Sequence, residues 1–456
     1  MPEFKNSAAN ILSYAEIPDD KAALFLQKLE EFKSFPDQSS SDEHVRLIRK
    51  ELTAAYYSLY KAVFFKTLYD PRIPDEILMF VYYGYIDEEL AGEENVEILH
   101  KAAVSMEFDE ECRIFPFYQW LRLIYNGKKD PSLNDFSVDY VAYLRQLKKE
   151  KRITESEERV LYNDSEKRAS FELDNMFKSA CRMMSSRITT FVPFFSSQQL
   201  SKPLDKTFLD FETLHNAINV IRSVDFSIFY RETVFTCPEV GIDKEFIQVE
   251  VLPDIILMPC IGGRGSMWQQ ITGAKRTTPG RFILPIMQEE DVNKIILKMC
   301  GDFRWELCKR VQGARWNDLT ERSLTSDYVD YIDTYKKNRD LSTEAKERIK
   351  SALVKYRNSY KDMFTADYMS YILYESTGAL RLNKAARFIL FNYCPFSKSF
   401  RDGVLSTNPQ YTKLIERYKN KNDHEIHLFD LSMERITKKG KLVPAELKGF
   451  RLFLGK

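Results

Sequence analysis

The feature that most constrains the fold of this chain is its scarcity of residues that interrupt helices. Its 456 residues include 16 glycines and 17 prolines, about 7% of the chain where ordinary proteins carry roughly 12%. Because glycine and proline are the residues least compatible with a helix interior, such a chain can form long helices. It also contains 32 phenylalanines and 25 tyrosines, which supply a large apolar core and argue against disorder. We therefore predict a predominantly α-helical folded protein.

Helix start signals support this prediction in the N-terminal half. Short hydroxyl and carboxylate side chains at 39–43 can cap free amides, and apolar residues then recur at helical spacing over 43–68. Thr154 and Glu157 have the spacing of a capping box. We expect this pair to open one long helix over 154–186.

The stretch 225–287 differs from the rest of the chain in its pattern of apolar and polar residues. Segments 226–230 and 246–251 alternate in polarity as half-buried strands do, and 255–258 and 281–284 are short apolar runs bounded by prolines. Six of the 16 glycines lie in this stretch. We predict a small β-containing unit inserted among multi-helix domains, which makes the fold α+β overall.

These patterns divide the chain into three predicted domains. Residues 1–200 form an N-terminal helical domain, 201–290 a helix plus the small β-containing unit, and 291–456 a C-terminal helical domain. Within the last, 342–377 is predicted as one long helical segment with a stripe of tyrosines. The basic terminal segment, 434–456, shows few helix signals and is predicted as strand and turn.

Charge and cysteine usage narrow the function classes. The 67 basic residues balance the 67 acidic ones, so the chain as a whole has no electrostatic reason to bind nucleic acid or an anionic membrane. The chain contains no run of 18 apolar residues, so the sequence does not predict a membrane span. The seven cysteines form no CxxC pair, which is typical of free thiols in a reducing compartment. We expect a cytoplasmic protein.

Local charge is uneven. Acidic residues outnumber basic ones by about two to one in 1–110, and the reverse holds in 381–456. Two solvated surfaces of opposite sign explain this pattern, and so does self-association or a partner docked at one end. Nucleic-acid binding through the basic end is disfavoured because no nucleic-acid motif accompanies it.

The best candidate for a site is the glycine- and arginine-rich loop at 258–281. A glycine-rich turn after a strand brings backbone amides close to an anion, and arginines add positive charge. The loop matches no phosphate-binding motif, so a structural turn that needs glycine for positive φ remains the alternative. The candidate ligand-binding residues are Gly262, Gly263, Arg264, Gly265, Ser266, Arg276 and Arg281.

No catalytic residue, cofactor or metal site is predicted. Ser266 lacks the G-x-S-x-G context of a hydrolase nucleophile. His424 and His427 are the candidates for metal ligation, because two imidazoles three residues apart can share a helix face. No third ligand is evident beside them, and an exposed polar turn is the favoured interpretation.

Two functions from different classes follow. The first is a non-enzymatic intracellular scaffold or protein-interaction protein, supported by aromatic-rich helices, oppositely charged ends and the lack of a catalytic motif. It would have a protein partner or self-associate. The alternative is a binding protein or enzyme for a phosphorylated or other anionic small molecule at the 258–281 loop.

Overall fold

The computed structural model describes most of the chain. The described residues are 8–38, 40–86, 97, 99, 101, 113–134, 136, 138–183, 194–195, 207–267, 278–288 and 290–456. Contacts divide the chain into two compact units. Unit 1 comprises Met1–Leu214, Asp254–Gln270 and Arg281–Val292, and unit 2 comprises His215–Pro253, Ile271–Gly280 and Asn293–Lys456.

Helices dominate both units. In chain order the described α-helices are α1 Ala8–Tyr14, α2 Asp19–Ser34, α3 Glu43–Thr67, α4 Asp75–Tyr83, α5 Phe117–Tyr125, α6 Tyr140–Lys149, α7 Glu155–Asn163, α8 Ser165–Met183, α9 Phe211–Val224, α10 Val292–Gln312, α11 Leu324–Thr334, α12 Thr343–Lys355, α13 Tyr360–Leu373, α14 Lys384–Tyr393, α15 Lys398–Thr407, α16 Thr412–Lys438 and α17 Ala445–Leu454. The described strands are β1 Tyr85–Ile86, β2 Ile114–Pro116, β3 Phe194–Phe195, β4 Tyr230–Cys237, β5 Ile242–Glu250, β6 Asp254–Gly262, β7 Ser266–Met267 and β8 Arg281–Gln288. The predicted fold class, mostly α with a small β unit, is confirmed.

Unit 1 is built on a four-stranded sheet in the order β2-β6-β8-β7. Strands β2, β6 and β8 run parallel, and β7 pairs antiparallel with β8. Nearly every residue of β6 and β8 is buried, which explains their unbroken apolar sequences, since a parallel strand is covered on both faces. Helices α4 and α5 pack against β6.

Unit 2 contains the antiparallel hairpin of β4 and β5 and the C-terminal helices. Helix α17 packs against β5 and against α16. The apolar cluster between them is formed by Val240, Ile247, Phe429, Ile436, Leu447 and Leu454. The strands of the 225–287 stretch are thus divided between the two units, and the three-domain division expected from the sequence stays a prediction.

The local helix signals are confirmed, but two predicted helices are each interrupted. The Asp42 carboxylate accepts hydrogen bonds from the first amides of α3, and Thr154 and Glu157 form the capping box of α7. The prediction of one helix over 154–186 is wrong, because the chain is extended at Asp164 and starts α8 afresh. The prediction of one helical segment over 342–377 is also wrong, since Arg357 and its neighbour adopt positive φ between α12 and α13.

Other local predictions are corrected as well. Residues 226–229 form a turn, and the strand predicted at 226–230 begins only at Tyr230. The basic terminal segment 434–456 is not strand and turn, because α16 continues to Lys438 and α17 follows. No helix among the described residues is long and apolar enough to cross a membrane.

Candidate functional site

The structure places the predicted glycine loop at the carboxyl end of β6. Gly262 is the last residue of β6, and Ser266 begins β7. A Cβ on Gly263 would lie 2.9 Å from Cγ of Glu290, so this glycine permits a close approach. None of the glycines 262, 263 and 265 has a positive φ. A left-handed turn is therefore not the reason for these glycines.

The predicted arginines do not converge on this loop in the described part of the chain. Arg281 pairs with Asp254 at the first residue of β6, whereas Gly262 pairs with Gln288 at the last. Arg281 thus lies at the opposite end of the strand pair from the loop. Arg264 is exposed, and Arg276 lies outside the described residues. A ligand site at the loop stays a prediction.

Arg281 instead belongs to a buried polar network in unit 1. Its guanidinium donates to Ser132 Oγ at 2.5 Å and to the Asp130 carbonyl at 2.7 Å, and burial lowers its pKa. The fully buried Glu172 carboxylate accepts from Trp120 Nε1 at 2.6 Å and from the Ser132 amide and hydroxyl at 2.5 and 2.8 Å. Both carboxylate oxygens are occupied, so this network anchors structure and leaves no group for chemistry.

The two histidines singled out by sequence lie on α16. His424 and His427 are both exposed on a continuous helix, so the predicted polar turn is wrong. No group of three candidate metal ligands occurs among the described residues.

Another candidate site, which the sequence did not predict, lies in unit 2. It is a cavity of about 630 Å³, inside the range of roughly 300–1,000 Å³ that is typical of small-molecule sites. We call it the α16 cavity because α16 supplies one whole wall. The residues that line it are Phe226, Ser227, Tyr230, Gln248, Arg304, Phe388, Phe391, Asn392, Tyr393, Pro395, Leu414, Arg417, Tyr418, Lys421, Asn422, Glu425, Phe453 and Leu454.

The wall from α16 follows directly from helical geometry. Along α16 the lining residues recur at the i, i+3, i+4, i+7, i+8 and i+11 positions, which places them on one face of the helix; they are Leu414, Arg417, Tyr418, Lys421, Asn422 and Glu425. This face carries two cations and one carboxylate. The spacing was present in the sequence but was missed, because the polar run at 419–423 indicated a turn.

Aromatic rings form much of the remaining surface. Tyr230 and Phe226 pack on Phe453, with ring centroids 4.6 and 5.5 Å away. Phe391 packs edge-on against Tyr418 at 6.2 Å. Several aromatic side chains in one lining suit a flat, partly apolar ligand.

The charged groups of the cavity differ in how far they are neutralised. Arg417 is exposed and makes no ion pair with a described residue. Lys421 faces Glu425 at 3.8 Å, an exposed i,i+4 pair of the kind that contributes little energy. These two side chains therefore leave positive charge available to a ligand.

Arg304 is fixed at the base of the α16 cavity by a buried carboxylate. Its Nε donates to Asp225 Oδ2 at 2.9 Å, and its Nη2 donates to the other oxygen and to Ser227 Oγ. Tyr368 also donates to Asp225 Oδ2, at 2.7 Å. Burial opposes the charge of Arg304, but Asp225 outweighs burial and raises the pKa of the guanidinium. Arg304 is thus a rigid, charged donor.

The one serine hydroxyl in the lining of the α16 cavity is already engaged by its neighbours. No histidine or cysteine is among the residues that line the α16 cavity, and the Ser227 hydroxyl is held by Asp225 and Arg304. A nucleophile with an adjacent base is therefore not assembled there. The whole site could not be predicted from the sequence, because its residues lie on elements that are scattered along the chain from Phe226 to Leu454.

Part of unit 2 resembles a known protein family. A family model described as a domain of unknown function, DUF8509, matches residues 313–453. No curated protein and no solved structure matched the chain. The matched stretch lies in unit 2 and contains most of the residues that line the α16 cavity, from Phe388 to Phe453.

Proposed function

We propose that this protein binds an anionic small molecule that carries an aromatic ring, and that the α16 cavity is the site. The observation that carries the proposal is the cavity itself, which aromatic side chains line together with Arg417 and Lys421. Binding of an anionic small molecule is the alternative function that the sequence predicts. The site that we propose for it lies in unit 2, whereas the sequence predicts the 258–281 loop.

The positive groups support an anion as the ligand. Arg417 has no carboxylate partner among the described residues, and Lys421 has only an exposed one. Hydrogen bonds from such groups to a phosphate or carboxylate are roughly twice as strong as neutral ones. An arginine on the rim also offers two parallel donors to a phosphate.

The aromatic faces support a ring as the second part of the ligand. Stacking or edge contacts with rings contribute about 0.5–1.5 kcal/mol each beyond the burial of apolar area. Gln248 and Asn392 also line the cavity, and their amides can donate to and accept from the polar edge of a heterocycle.

Adenosine 5′-monophosphate tests the proposal, because it joins a ring to a phosphate. Isothermal titration of the full chain should show binding of this nucleotide that is tighter than binding of adenosine or of ribose 5-phosphate alone. The double variant Arg417→Gln/Lys421→Gln should weaken it by at least about a hundredfold, since each of the two charge-assisted hydrogen bonds contributes about 1.5–3 kcal/mol.

The matched control changes two cations on the same helix that do not line the cavity, Lys419 and Arg435. The variant Lys419→Gln/Arg435→Gln has the same change in net charge and should bind as the unaltered protein does. Absence of nucleotide binding, or equal weakening in both double variants, would overturn the proposal.

A second candidate function is the scaffold or interaction protein in the cytoplasm, and one surface favours it. Leu428 and Leu431 are 54% and 38% exposed one turn apart on α16, and Leu452 on α17 is 72% exposed. Exposed apolar side chains such as Leu428 and Leu431, which lie three residues apart on one helix, are typical of interaction surfaces. Light scattering should then give a multiple of 53.6 kDa, reduced by Leu428→Lys. A monomer at all concentrations would count against self-association.

A further inference from the structure

A second cavity lies beside the first in unit 2. Its volume is about 330 Å³, and Tyr230, Arg304 and Tyr393 line both cavities. These three shared side chains place the two cavities next to each other at Arg304. Arg322, Leu307, Val311 and Leu324 are among the side chains that line only the second cavity.

We propose that the two cavities form one bipartite site for a dinucleotide, a ligand with two ring systems joined through phosphates. The inference rests on the proposed function, because the α16 cavity holds the first nucleotide. The second nucleotide extends past Arg304 into the smaller cavity.

Arg304 is suited to the linking phosphate. Nε and Nη2 are taken by Asp225 and Ser227, and Nη1 makes no hydrogen bond with a described residue. This leaves a rigid donor at the place where the cavities meet. Asp225 already balances the charge of Arg304, so Arg304 offers the linking phosphate a hydrogen bond and little net positive charge. A second cation is needed to neutralise the phosphates.

Arg322 supplies that charge in the smaller cavity. Its side chain is exposed and forms no ion pair with any residue the structure describes. Its backbone is left-handed, with φ +42° and ψ +61°, a conformation that costs a non-glycine residue energy. The hydroxyl of Tyr393 lies 2.8 Å from the Arg322 carbonyl. The same hydroxyl lies 2.7 Å from Asp327 Oδ2, so Tyr393, which lines both cavities, contacts the backbone of Arg322.

The smaller cavity also offers apolar contact for a second ring. Leu307, Val311 and Leu324 line it, and Val311 is 40% exposed although it is apolar. A ring that covers Val311 would bury apolar surface that now faces water.

The experiment compares adenosine 5′-monophosphate with P1,P2-di(adenosine-5′) diphosphate by isothermal titration of the full chain. We expect the dinucleotide to bind at least about tenfold more tightly. Arg322→Asn should remove most of this gain and leave binding of the mononucleotide unchanged. Asparagine is chosen because it tolerates left-handed backbone, and a thermal melt checks that the variant folds. Arg348→Asn, an exposed arginine on α12 away from both cavities, is the control.

The outcomes separate the two proposals. If the mononucleotide binds through Arg417 but the dinucleotide gains nothing, or Arg322→Asn weakens both ligands equally, the bipartite site is overturned and the proposed function stands. If neither ligand binds, both are overturned. A gain lost only in Arg322→Asn supports the inference.

Discussion

The buried pair of Asp225 and Arg304 gives the sharpest test of how unit 2 is held together. Asp225 is fully buried and accepts hydrogen bonds from Arg304, Ser227 and Tyr368. Asp225→Asn removes the charge but keeps the size of the side chain. A buried guanidinium is then left without the carboxylate that compensates it. We expect the free energy of unfolding of unit 2 to fall by about 3–5 kcal/mol.

Two further variants calibrate this magnitude. Tyr368→Phe removes one hydrogen bond to the Asp225 carboxylate and leaves the ion pair, so a smaller loss of about 1.5–3 kcal/mol is expected. Glu321→Gln breaks the exposed ion pair with Arg315, whose N···O distance is 2.8 Å. Exposed pairs contribute little, and we expect no measurable change in stability.

Native-state hydrogen exchange followed by mass spectrometry is the assay, because it reads each unit separately. Peptides of α10 and α13, which carry Arg304 and Tyr368, should exchange about a hundredfold to several thousandfold faster in Asp225→Asn. Peptides of α3 in unit 1 serve as the internal reference. A loss in Asp225→Asn no larger than that in Tyr368→Phe would refute the reasoning that the buried charge dominates.

Three other predictions concern single side chains. Burial alone would raise the pKa of Glu375, but hydrogen bonds from Arg387, the Leu382 amide and Tyr411 outweigh burial and lower the pKa. The contribution of the Glu375 carboxylate to stability should therefore be complete above about pH 4.3 and should fall as the pH drops through the lowered pKa. Acid denaturation of Glu375→Gln should lack this pH-dependent contribution. Glu172→Ala should destabilise unit 1 by at least about 3 kcal/mol in urea unfolding, because it leaves three buried donors without an acceptor. Gly263→Ala should cost about 1 kcal/mol or less in a thermal melt, because the glutamate side chain that the new methyl group meets is exposed and can shift.

Much of the fold could be predicted because its signals are local. The cap at Asp42 and the capping box at Thr154 are made by side chains within three residues of the amides they bind. The continuous apolar runs of β6 and β8 likewise mark buried strands. Such features depend on neighbouring residues and can be recognised without knowledge of tertiary contacts.

The C-terminal helices were missed for a physical reason. Only Ile415, Phe429 and Ile436 are buried on the 27 residues of α16. With so few fully buried residues, the polar run at 419–423 dominates the local pattern and resembles a turn. The helix that forms one wall of the α16 cavity was therefore not predicted.

The candidate site itself depends on contacts between distant parts of the chain. Asp225 and Arg304 are 79 residues apart, and Asp225 and Tyr368 are 143 apart. No local pattern connects them. Conversely, Arg281 was grouped with the glycine loop because the two are close in sequence, whereas the parallel register places them at opposite ends of β6 and β8.

Hydrogen exchange of the full chain with and without adenosine 5′-monophosphate tests the central claim most directly, because it locates the bound ligand. If the α16 cavity binds the nucleotide, amide exchange should become slower in α14, in the part of α16 from Leu414 to Glu425, and at the start of β4. Exchange in unit 1 should not change. Protection confined to residues 258–267 would assign the ligand to the glycine loop, and no protection anywhere would show that this nucleotide is not bound. Either result would contradict the α16 cavity as the binding site.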